Sequence, residues 1–103
     1  MEARTHNERW WNAEVHRLRG ELLLMHGADA FDVEAALLRA IEIARAQQAR
    51  SLELRATMSL ARLWIAQKRP NDARRQLSDL YAWFTEGFET PDLQAARLLL
   101  AQL

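Results

Sequence analysis

Apolar residues recur at Trp11, Val15, Leu18, Leu22 and Met25, in alternating steps of four and three. That spacing draws one stripe along an α-helix and predicts its buried face. Thr5 and Glu8 form a T-x-x-E capping box that predicts the helix start. Gly27 predicts its end, because glycine enters the left-handed region without a Cβ clash. A second stripe, Val33, Leu37, Ala40, Ile41 and Ala44, follows Asp32 as N-cap. Helical phase then runs on through Gln48, Leu52, Ala56, Leu60 and Leu63 without a Gly or Pro, so periodicity alone permits one helix from 32 to 67. The polar stretch Gln47, Gln48, Arg50 and Ser51, with Ser51 and Glu53 as cap and first-turn acid, predicts a break at 49–51.

The third helix carries Ala56, Leu60, Ala61, Leu63 and Trp64 and stops at Lys68-Arg69 before Pro70. Pro70 suits the first turn of a fourth, whose missing N–H costs nothing there. The fourth stripe is Ala73, Leu77, Leu80, Tyr81 and Phe84, with Gly87 as its stop. Trp83 and Phe88 flank Gly87 as the hydrophobic pair of a Schellman ending, so the aromatic cluster YAWFTEGF reads first as a structural corner. Thr90, Pro91 and Asp92 then start a terminal helix with the stripe Leu93, Ala96, Leu100 and Leu103.

These helices repeat. Val33, Leu37 and Ala40 align with Ala73, Leu77 and Leu80 at an offset of 40, and Gly20, Leu23 and Gly27 align with Ala61, Trp64 and Lys68 at 41. Two helix pairs and a capping helix result, with repeat 1 over about 5–48, repeat 2 over about 51–86 and the cap over about 90–103. The expected fold is a single all-α domain, an α-solenoid over 1–103, since such a pair buries its apolar face only against a neighbour.

Composition agrees with helices. Half of the 103 residues are apolar, and Gly and Pro together number five. Fourteen basic and fourteen acidic residues cancel, so no net field draws nucleic acid or an anionic membrane. No cysteine is present, and the longest apolar run, Leu22–Met25, is four residues. The expectation is a cytoplasmic protein with neither a membrane span nor a signal peptide.

The small-large spacing of Gly20/Leu23 and Ala61/Trp64 in the first helices, and of Leu37/Ala40 and Ala73/Leu77 in the second, resembles the tetratricopeptide repeat. Arg19 and Val33 depart from it, and the period exceeds the usual ~34 residues. The segments ERWWNAEVHRLRGELLL, AIEIARAQQARSLELRA and YAWFTEGFETPDL look like the C-terminal helical repeats of bacterial signalling proteins. Those couple a cyclase-like or DNA-binding domain to a regulatory ATPase. The resemblance implies a regulatory, partner-sensing tail; no ATPase or cyclase motif stands in this chain.

Catalysis has no motif support: there is no nucleophile triad signature, H-E-x-x-H or phosphate loop, and no cofactor or metal is expected. His16 and His26 are ten residues apart, which points them to different faces of one helix. The basic run Lys68, Arg69, Arg74 and Arg75 reads as a solvated turn. The first helices of such solenoids line the concave side. The expected partner-binding face there is Glu14, Arg17, Glu21 and Leu24 in one repeat and Arg55, Met58, Arg62 and Ile65 in the next. Trp10 and Trp11 mark an edge where a preceding repeat would stack, which predicts a homodimer or a sticky monomer. The expected function is a non-catalytic protein-interaction module that binds a protein partner or effector domains. The alternative is a small-ligand sensor signalling to an effector.

Overall fold

The computed structural model describes residues 2–85, 87 and 90–103, with side chains from Asn12 onward. Five helices follow in order: α1 Glu2–Met25, α2 Ala30–Ala46, α3 Arg50–Ala66, α4 Pro70–Trp83 and α5 Pro91–Ala101. Each packs on the next, and α1–α3 and α3–α5 also touch. Among the described residues α2 and α4 make no backbone approach within 8 Å, and α3 alone packs closely against all four other helices. The domain measures 44 × 36 × 19 Å, so its thin dimension is two helix layers.

The first three turns share one construction. Gly27, Gln48 and Lys68 adopt φ of 74°, 58° and 64°. The next amide in each case reaches back to the third-last residue of the arriving helix: Ala28 N to Leu23 O at 2.9 Å, Ala49 N to Ala44 O at 2.8 Å and Arg69 N to Trp64 O at 2.7 Å. These are Schellman endings, which satisfy otherwise orphaned carbonyls and reverse the chain within a few residues. The predicted break is therefore present but lies at 47–49, two residues earlier than expected, with α2 ending at Ala46 and α3 starting at Arg50.

Several predicted caps move. Asp29, not Asp32, caps α2 and accepts from Phe31 N at 2.9 Å, because the tight Gly27 turn lets the helix begin at Ala30. Ala49 precedes α3 without a side-chain cap, and Ser51 lies inside the helix. Glu2, Ala3 and Arg4 are good helix formers and carry α1 upstream of Thr5. The fourth helix stops at Trp83, where Phe84 turns extended at ψ 134°, so Gly87 does not end it. Gly87 instead takes φ 78°, and its carbonyl accepts from Thr90 N and Oγ1, which aims the chain into α5. Phe88, the supposed partner of Trp83, lies outside the described residues. The Thr90 cap holds, with Leu93 N donating to its hydroxyl and Pro91 as first residue.

All five predicted stripe residues of α2 are buried. So are Ala73, Leu77 and Leu80 on α4, while Tyr81 and Phe84 are half-buried against the core. On α5 Leu93, Ala96 and Leu99 are buried, with Leu100 and Leu103 packed beside them. The α3 stripe is buried as expected, and Leu52, Leu54, Met58 and three polar residues are buried with it.

The α1 stripe is the principal correction. Val15, Leu18, Leu22 and Met25 are 39%, 43%, 54% and 79% exposed. The face that packs is the opposite one, where Ala13 and Gly20 are buried. Helix α2 approaches so closely there that a Cβ on Gly20 would lie 2.9 Å from Leu37 Cδ2. Small residues select that face, because Leu37, itself 2% exposed, fills the space. The Gly20/Leu23 spacing located this contact; the large apolar stripe did not.

Trp64 joins the layers. Its ring is buried, its Nε1 donates to Glu34 Oε1 at 2.7 Å, and Arg69 covers it at 4.6 Å. Trp64→Ala should cost about 3–5 kcal/mol in a denaturant titration. Gln48 and Lys68 carry Cβ atoms in the left-handed region. Gln48→Gly or Lys68→Gly should each raise stability by about 1 kcal/mol in the same assay, the strain relieved exceeding the entropy glycine adds.

Candidate functional site

One face of the two-layer slab is formed by α1, α3 and α5. Helix α3 shows solvent only a narrow strip there, at Ser51, Arg55 and Arg62. Four of the predicted face residues meet across it. Arg17 grips Glu14 with two hydrogen bonds, Nε to Oε1 at 3.0 Å and Nη2 to Oε2 at 2.7 Å. Its remaining nitrogen lies 3.8 Å from Glu21. Arg55 reaches Glu14 at 3.6 Å and donates to Asp92 at 2.9 Å. Ser59 donates to Glu21 at 2.7 Å. The network thus ties three helices together.

Burial graded along the network sets its electrostatics. Glu14 and Arg17 keep only 16% and 19% of their side chains exposed, whereas Arg55 keeps 44%. The hydrogen bond from Arg17 holds the Glu14 carboxyl below its ordinary pKa, against the opposing effect of burial and with help from the Arg17 and Arg55 charges. The same bond raises Arg17.

The remaining predicted residues divide. Arg62 is exposed and has no hydrogen-bond partner among the described residues. Leu24 is 47% exposed near the end of α1, and Ile65 is half-buried against the core. Met58 is 4% exposed inside the core, so it is not available on this face. It is lost because α3 is enclosed on nearly every side. Trp10 and Trp11 lie outside the described side chains. Asp92 and Ser59 were not predicted. Asp92 was legible only as a first-turn acid, and Ser59 carries no pattern signal at all.

A second charged cluster holds the start of α3. The Glu53 side chain is 3% exposed and receives Arg45 at 3.0 Å and Arg50 at 2.9 Å. Arg50 also lies 4.5 Å over the ring of Trp83, which meets Phe84 edge-on at 5.5 Å. The aromatic cluster is thereby seated on α3 as a corner. An open cleft of about 520 Å³ lies between this corner, Arg55 and the start of α5. Arg69 is paired with Glu34 and Asp72, so the basic run at the α3–α4 turn is partly neutralised. His16 is half-buried; burial first, then Arg39 and Arg19, lower its pKa. Among the described residues no three His, Asp or Glu side chains form a metal-binding group, and no helix is long and apolar enough to cross a membrane.

No protein-family model, curated protein or solved structure matches the chain.

Glu14 has a depressed folded pKa, so the stability it contributes is present above the unfolded carboxylate pKa and lost as pH falls through the folded one. Glu14→Gln should melt below wild type at pH 7. The gap should close toward pH 3, as protonation removes the same ion pair from wild type; thermal melts from pH 7 to 3 measure it.

Proposed function

We propose that the chain is a non-catalytic, helical-repeat interaction module that binds a protein partner through the α1–α3–α5 face. The observation that carries this reading is the ion-pair network joining Glu14, Arg17, Glu21, Arg55 and Asp92, with Arg62 exposed and unpaired among the described residues. Charges fixed by neighbours before binding lose little side-chain entropy when a partner arrives. Unmatched Arg62 adds a planar donor suited to a carboxylate. The i to i+2 contacts of α1 with α3 and of α3 with α5 support the tetratricopeptide-like stacking suggested by the repeat offsets. A regulatory tail that reports partner occupancy to effector domains agrees with that stacking.

Arg62 is the cleaner probe, because Arg55 also holds Asp92. Arg62→Glu should weaken a captured partner at least tenfold in a pull-down titration from the native cell, with the thermal melt unchanged. Arg74→Glu, an exposed arginine on α4, serves as the control. Equal affinity for wild type and Arg62→Glu would overturn the assignment of this face.

A further inference from the structure

The exposed stripe of α1 has the register of a coiled-coil seam. Val15 and Leu22 occupy a positions, Leu18 and Met25 occupy d positions, and the sequence extends the same steps to Trp11. Ala13 and Gly20 then fall at f, opposite the seam, and these are the residues buried in the domain. The seam therefore points directly away from the body of the protein, with four large apolar side chains 39–79% exposed. A partner helix can lie along it without meeting α2–α5.

The flanks specify the occupant. Residues Asn12, Arg19 and His26 line the e side, and Glu14 and Glu21 line the g side. In a parallel pair, g of one helix faces e of the next heptad on the other. Two copies of α1 in register would set Glu21 against the second copy's His26, and Arg19 beside the second copy's Glu14, whose carboxylate Arg17 already holds through both oxygens, twice over by symmetry. An antiparallel pair would instead face g against g and e against e, glutamate against glutamate and Arg19 against basic neighbours. Glu21 is free enough to serve: 37% of its side chain is exposed, and Ser59 holds only Oε2. In the first heptad Val15 at a with Leu18 at d is the pairing that favours two strands.

We infer that the chain self-associates as a parallel, in-register dimer through the Val15–Leu18–Leu22–Met25 face of α1. This seam shares Glu14 and Glu21 with the partner face above, but its test reads Leu18 and Leu22, which that reading does not use, so the failure of either leaves the other standing. Two heptads are short for a free coiled coil, but α1 is already ordered by its packing on α2 and α3. The expected dissociation constant is on the order of micromolar.

Sedimentation equilibrium of the full chain tests the pairing. Wild type should be dimeric at a hundred micromolar. Leu18→Glu and Leu22→Glu should each be monomeric with unchanged helix content, since both positions are exposed. Orientation is tested by the single-cysteine variants Val15→Cys and Met25→Cys, in a chain that has no cysteine of its own. A parallel in-register pair oxidises to a covalent dimer at both positions; an antiparallel pair does so at one at most. A wild-type monomer at that concentration would overturn the inference. So would a dimer that survives Leu18→Glu, or cross-linking at one position only.

Discussion

Helix α3 is enclosed on nearly every side, and the remaining helices are arranged by that constraint. A helix touching four others cannot present large apolar side chains all round, because neighbouring axes must come within about 8–10 Å. Its sequence therefore alternates bulk with small or polar residues, and Ala56, Thr57, Ser59 and Ala61 are buried beside Leu60, Leu63 and Trp64. Each buried polar group then needs a partner. Glu53 finds Arg45 and Arg50, and Ser59 finds Glu21, whereas the Thr57 hydroxyl has none. Arg50 belongs to α3 itself, but Arg45 and Glu21 come from the flanking helices, so the compensation helps to set their register. Burying α3 thus fixes both the layer order and the ionic contacts between layers.

Much of this was legible where one apolar face was buried against one neighbour. The α2 stripe was readable residue by residue, and the small-large offset between α2 and α4 matched positions that are buried in both. Legibility failed where a helix had two faces to reconcile. On α1 the large apolar residues trace a seam that the domain leaves open, while its packing face is marked only by Ala13 and Gly20. Periodicity weights size, and a close helix crossing is made by the absence of size. On α3 a stripe model assumes a solvated back, so Met58 was placed on the surface when it lies in the core.

Turn chemistry shows the same limit. Gly27 announced the α1–α2 turn, but the following two turns repeat its hydrogen bonding with Gln48 and Lys68 at the left-handed position. Neither residue signals a helix end, which is why the phase ran unbroken from α2 into α3. Of the candidate face, the charges were found, but their pairing was not: Asp92 arrives from a helix 37 residues after Arg55, a separation that no local pattern encodes.

That long-range pair has a consequence for α5. Three turns of the domain are short, whereas a longer segment joins Trp83 to Pro91, and α5 touches only α3 and α4. It is the helix that can detach with least disturbance to the others. Because α5 brings Asp92 to Arg55, its docking and the charge presented by the α1–α3–α5 face are one equilibrium. By linkage, an acidic group that takes Arg55 competes with the terminal helix, and a ligand that holds α5 down neutralises Arg55. Helix α5 would then act as an internal competitor for the proposed binding face.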